Sequence, residues 1–191
     1  MSASGHPPTS PAGLRRIVTG ENGEGRSLIV FEGLPANASA YPERAGLFEI
    51  WAEDLVGDLD PHLFLDLAGG SLKLSPDIGC VRARWFVVEP LPEHVPAEKM
   101  KQAAIAQFAA LGAEHELADQ DRHPFMHRTN TLDVVVLLKG DASLVLDEEV
   151  ARLAPGDVVI QRGAAHAWIA HDGPALFLAV LIARGVSRPQ G

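Results

Sequence analysis

The stretch that most limits what this chain can become runs from Met126 to Gly140. Within it His127, Thr129, Thr131, Asp133, Val135 and Leu137 recur at every second position before Lys139 and Gly140 end the run. Successive side chains of an extended strand point to opposite faces, so these six share one wall. That wall carries polar, potentially ligating groups above an apolar floor. A second stretch answers it. Ala154-Pro155-Gly156-Asp157 makes a corner, Val158 to Gln161 is a short apolar strand, Gly163 makes a tight turn, and His166 and Trp168 follow two residues apart on one face.

Together the two stretches resemble the two signature motifs of the cupin family. The first motif reads His, any residue, His, three or four residues, Glu, six residues, Gly. Here His127, Thr129, Asp133 and Gly140 hold those places, with Thr129 for the second His and Asp133 for the longer Glu. In the second motif Gly156, Gly163 and His166 match, whereas Gln161 replaces a Pro and Ala170 an Asn. The resemblance is close over the last third of the chain. Arg15-Arg16-Ile17-Val18-Thr19-Gly20 and Trp51 are also similar to the N-terminal half of a group of uncharacterised bacterial cupin-domain proteins, which extends the likeness without implying a function.

With 191 residues and 47% hydrophobic content the chain supports one buried core and one domain. A net charge of −9 without any Lys/Arg block argues against nucleic acid and anionic lipid as partners, leaving small molecules and other protein subunits. The single cysteine, Cys80, excludes an internal disulfide and a Cys-based zinc site and fits a reducing compartment. Met1 to Gly13 is rich in Ser, Pro and Gly and lacks the apolar core of a signal peptide. The longest apolar run, Ala175 to Ala183, is about half of what a bilayer requires. The expectation is a soluble, cytoplasmic protein.

Strands are expected at residues 14–20 and 27–33 around a Gly/Asn turn, at 46–52, and at 80–88, where Val81, Ala83, Trp85 and Val87 share one side and Arg82 and Arg84 the other. Between Pro96 and Gly112 the period changes to about four, predicting one helix with a Met100, Ile105, Phe108 and Leu111 stripe. From His127 onward short strands and tight turns alternate. This pattern points to a mainly β fold, an antiparallel β-barrel or jelly roll with extra N-terminal strands and one helix; the resemblance independently implies the same fold, of the RmlC-like kind. The expected plan is a disordered tail at 1–13, an N-terminal β segment at 14–94 packing on the barrel, helix and linker at 95–119, and the barrel region at 120–186, all one structural domain.

His127, Asp133 and His166 are the candidate catalytic and metal-ligating set. Two imidazoles and a carboxylate suit iron, manganese, nickel or zinc and leave coordination positions open. The alternative is that the same groups hydrogen-bond inside a polar cavity. Thr129, Thr131, Gln161, Arg162 and Trp168 are the candidate substrate contacts: hydroxyls on the histidine wall, a guanidinium able to grip a carboxylate, and a ring able to stack. Each has a plainer role available, in strand packing, in the core or on a solvated loop. His123, beside Pro124, is a conceivable stand-in for the missing histidine, and His62, His94, His115 and His171 are expected in exposed turns. No phosphate loop, Ser nucleophile elbow, His-Glu-x-x-His helix or helix-turn-helix occurs, and no organic cofactor is expected.

Three functions stay open at this level. They are a metal-dependent enzyme (dioxygenase, isomerase, decarboxylase or dehydratase) acting on a small oxygenated or carboxylated metabolite, a metal-free His/Asp acid–base isomerase or epimerase, and a non-catalytic small-molecule-binding barrel. A homodimer formed through Leu14 to Trp51 is expected, because N-terminal strands leave edges to cover.

Overall fold

The computed structural model describes residues 13–40 and 46–184; the expected tail at 1–13 lies, but for its last residue, outside them. Strand β1 (Arg16–Glu21) and strand β2 (Ser27–Gly33) form an antiparallel hairpin. Its turn follows from Asn22, whose Oδ1 accepts 3.0 Å bonds from the amides of Glu24 and Arg26. Buried Arg16 ties the hairpin to the rest of the molecule: its guanidinium donates to Leu34 O and Ile50 O, pairs with Asp66 and lies 4.5 Å over the Phe31 ring.

The later elements are β3 (Asn37–Ala40), β4 (Gly46–Asp54), β5 (Cys80–Val88), helix α1 (Ala97–Ala110), β6 (Thr131–Lys139), β7 (Ala142–Val145), β8 (Val150–Leu153), β9 (Val158–Gln161), β10 (Ala167–Ala170) and β11 (Ala175–Ala183). They build a six-stranded sheet in the order β3-β4-β5-β11-β6-β9 and a three-stranded sheet in the order β10-β7-β8, with antiparallel pairing throughout. The two sheets face each other as a jelly-roll sandwich without closing into one continuous hydrogen-bonded barrel.

Alternation along the strands decides what lies between the sheets. Thr131, Asp133, Val135 and Leu137 of β6 are all buried, the face expected from the sequence. Val135 and Leu137 join Phe177, Ala179 and Leu181 of β11 and meet Leu144, Leu153 and Ala170 of the smaller sheet. Phe86 stacks on Phe177 with ring centroids 4.6 Å apart, and Trp168 tilts over the same ring at 5.1 Å. Each fully buried large apolar side chain contributes about 1.5–3 kcal/mol.

Gly140, the last residue of the first motif, has φ +95, and a Cβ there would lie 2.7 Å from Pro174 O. Only glycine accommodates both the conformation and the contact.

Helix α1 follows Pro96, and Gly112 with φ +64 stands just beyond its end. Its inward positions are Ala104 and Phe108, one turn apart, while Ile105 is largely exposed. The expected stripe was therefore one position off at Ile105, because the helix packs through a narrow edge and not a broad apolar face. Among the described residues no helix is long and apolar enough to cross a membrane.

Candidate functional site

The interior divides into an apolar half, floored by Phe86, Phe177 and Leu137, and a polar half where the two histidine motifs meet. His127 precedes β6 and bridges backbone to backbone with His166: His127 N donates to His166 O at 3.0 Å and His166 N to His127 O at 2.9 Å. The two rings consequently sit 4.3 Å apart, centroid to centroid. Phe108 of α1 packs edgewise on His127 at 5.3 Å, and Trp168 packs edgewise on His166 at 5.7 Å.

Both rings adopt the same tautomer. Nδ1 of His127 is 3.0 Å from Phe125 O, and Nδ1 of His166 is 3.0 Å from Ala164 O. A carbonyl only accepts, so each Nδ1 carries the proton and each Nε2 keeps its lone pair. Burial pushes the His127 pKa down, and burial together with neighbouring His127 takes His166 down to about 3. Both rings are therefore neutral at physiological pH.

His123 is buried nearby with the opposite tautomer: its Nδ1 accepts from Phe125 N at 3.2 Å, which places the proton on an Nε2 that has no partner. In that form it offers no lone pair to a metal.

Asp133 is 3% exposed and its Oδ1 has no hydrogen-bond partner. Burial raises its pKa from 3.8 to about 6, against the lowering pull of the Thr131 hydroxyl and the Arg84 charge. Thr131 Oγ1 also lies 2.7 Å from Thr129 Oγ1, a hydroxyl–hydroxyl hydrogen bond between two buried side chains. Gln161, the register partner of Asp133 on β9, is buried with its Nε2 unpaired. Arg162, one residue on, is exposed, so the two side chains expected to act together at the barrel mouth go to different environments.

Three charged residues that the sequence reading did not place in the site share this interior. Glu49 of β4 is fully buried opposite Arg84 of β5. Its Oε2 accepts from Arg82 Nη1 at 3.0 Å, and its Oε1 lies 3.1 Å from Arg84 Nη2, charge-paired but outside hydrogen-bonding geometry. Arg84 also donates to Lys73 O at 2.7 Å. Burial raises the Glu49 pKa above its ordinary value, and the charges of Arg84 and Arg82 limit that rise. The Nε of each arginine is buried without a partner. The available signal was the parity of Arg82 and Arg84 opposite Trp85; their burial depends on Glu49, more than 30 positions earlier.

A groove of about 910 Å³ runs beside this interior. It is lined by Glu116, Ala165 and Ala183 among others, and none of the paired histidines lines it. Ala165 precedes His166, and Ala183 is the register partner of Thr131. His171, expected in an exposed turn, is half-buried with Nε2 2.8 Å from Ser143 Oγ.

The fit to a metal is partial. Two neutral imidazoles with adjacent rings, each Nδ1–H held by a carbonyl, form a ligand pair oriented as metal-binding histidines are. Among the described residues, however, no group of three or more His, Cys, Asp or Glu side chains converges as a complete ligand set.

Facing antiparallel sheets, left-handed glycines at the motif turns and a pair of adjacent histidines give the chain a cupin-like jelly-roll fold. No protein-family model matches the chain. Two proteins of Diaporthe leptostromiformis, phomopsin biosynthesis cluster proteins C' and D, are each 50% identical over 44 residues, 22% of this chain and 23% of theirs. The match thus spans about a quarter of those relatives.

Similar solved structures include a cupin superfamily protein from Desulfitobacterium hafniense (15% identity, TM-score 0.34, 55% of this chain and 68% of that one). A structure assigned to ethanolamine utilization protein Q of Salmonella typhimurium has 13% identity and TM-score 0.38, over 88% and 95%. A DMSP lyase from Ruegeria pomeroyi has 16% identity and TM-score 0.33, over 54% and 38%.

Proposed function

We propose that this chain is an enzyme acting on a small oxygenated or carboxylated metabolite within the double sheet, using a divalent metal held by His127 and His166. The observation that carries the reading is the shared tautomer: both Nδ1–H groups are tied to carbonyls and both Nε2 lone pairs are free for coordination. Iron, manganese, nickel or zinc suits such donors, and when bound would polarise a substrate oxygen or a water. The chain's own groups would then position the substrate: Trp168 and Phe108 fix the two rings, Thr131 steadies Asp133, and the buried apolar floor excludes water. Elemental analysis of protein purified without chelating resin is expected to give near-stoichiometric metal, and none in the His127→Ala, His166→Ala double variant. A parent that is empty and also refuses added metal would overturn the reading.

A second reading is favoured by one specific observation, the buried Asp133 carboxyl whose Oδ1 has no partner and whose pKa burial raises to about 6. A carboxyl poised there can take up and release protons at neutral pH, so metal-free acid–base isomerisation uses the same chamber. Activity surviving exhaustive chelation would select it.

A homodimer belongs to the same proposal. Ile17, Leu28, Ile29 and Val30 of the β1–β2 hairpin are exposed, and among the described residues that two-stranded sheet pairs with no third strand. An exposed apolar hairpin with open edges is suited to a second copy. Sedimentation is expected to give a dimer at micromolar concentration; a concentration-independent monomer would contradict it.

A further inference from the structure

We infer that Arg82 and Arg84 form the carboxylate-binding end of the chamber and that its ligand is a small hydroxy- or oxo-carboxylate. The inference rests on the interior between the sheets being the substrate chamber. It begins with charge. Two guanidiniums touch one carboxylate, Glu49, and the side chains of all three are at most 8% exposed. The two guanidiniums share that single anion, so the contact cluster carries one net positive charge. Both arginines also keep a buried Nε–H without a partner. Buried donors of this kind are costly unless something accepts from them, and a guanidinium edge matches a planar carboxylate.

Register gives the rest of the ligand. On the interior face Arg82 pairs with Leu181, Leu181 with Asp133, and Asp133 with Gln161, across four neighbouring strands. Two strand spacings, about 10 Å, separate the backbones of Arg82 and Asp133. Arg84, on the same strand face as Arg82, is close enough to Asp133 for their charges to interact. At the far end stand an unpaired acceptor, Asp133 Oδ1, and an unpaired donor, Gln161 Nε2. An acceptor and a donor side by side suit a hydroxyl or a carbonyl oxygen, with the acid function held at the arginines. The excess positive charge, with Asp133 and Glu116 electrostatically coupled to Arg84, favours a small carboxylate over its neutral amide, and the planar guanidinium edge fits a planar carboxylate more closely than a tetrahedral phosphate.

The test is calorimetric titration of the full chain, stripped of metal by dialysis against chelator, with malate, its uncharged diamide and inorganic phosphate. Running it without metal lets the carboxylate assignment fail separately from the histidine assignment. Saturable malate binding is expected, at least tenfold tighter than that of the diamide or of phosphate. Arg82→Lys, which keeps the charge and removes the Nε edge, is expected to weaken malate at least tenfold while the circular dichroism spectrum stays unchanged. Should Arg82→Lys fail to fold, Gln161→Leu is the second variant, expected to weaken malate and leave acetate binding unchanged. Absence of saturable malate binding, or equal binding of malate and its diamide, overturns the inference and leaves the arginines as a structural ion cluster.

Discussion

Glu49→Gln is expected to destabilise the protein by about 3–5 kcal/mol, measured by urea unfolding at neutral pH. The amide keeps the size and shape of the carboxyl, so the loss comes from charge. Glu49 is 0% exposed, and both of its oxygens face guanidiniums that are themselves out of water. Removing the one contacting anion leaves Arg82 and Arg84 side by side, desolvated and mutually repelling. For a domain whose total stability is about 5–15 kcal/mol, this brings the chain close to unfolding.

Replacing all three residues with apolar groups of similar volume, Glu49→Leu with Arg82→Met and Arg84→Met, is expected to recover most of the loss, because a buried ion cluster gains little over well-packed hydrocarbon. A loss below about 1 kcal/mol in Glu49→Gln would mean that the cluster is solvated and not a buried network.

Asp133→Asn is expected to act in the opposite direction and only at higher pH. Folding raises the Asp133 pKa from 3.8 to about 6, so the folded chain binds this proton more tightly than the unfolded one. The associated stability is complete below pH 3.8 and is lost as the pH rises through 6. Above that the native state holds a buried carboxylate with an unpaired oxygen. The shift corresponds to about 3 kcal/mol. At pH 8 the Asn variant is therefore more stable than the parent by about that amount, and near pH 4 the two converge.

His166 has the reverse dependence. Its pKa is lowered, so its contribution is present above 6.5 and lost as the pH falls toward 3. It is common to both proteins and cancels in the difference. Equal stability of parent and variant at pH 8 would show that the Asp133 carboxyl ionises freely.

The parts of the fold legible in the sequence are those where local chemistry and tertiary role agree. β2, β5 and β11 were readable residue for residue, because apolar or alternating runs end at Gly or Pro. The histidine pair was readable because motif turns at Gly156 and Gly163 bring a distant strand to face His127. Illegible was the far side of β5. Arg82 and Arg84 alternate with Val81, Ala83 and Trp85, and an Arg-bearing strand face ordinarily meets water. Only Glu49 reverses that, and its pairing is a property of the β4–β5 register and not of any window containing the arginines. Ile105 failed for a related reason: helical period alone does not tell a narrow contact from a broad one.

The position of β11 bears on how the polar interior comes into existence. β4 and β5 carry Glu49, Arg82 and Arg84; β6 and β9 carry Asp133 and Gln161; β11 separates them and pairs with both. It is also the last of the described strands in the chain. During synthesis the two half-sheets can each form as they emerge, yet among the described residues no strand pairing joins them directly until β11 threads between. The arginine–Glu49 cluster and Asp133 thus come into one sheet only when β11 has paired with both halves, so a chain stalled before Ala175 would hold these residues without joining them.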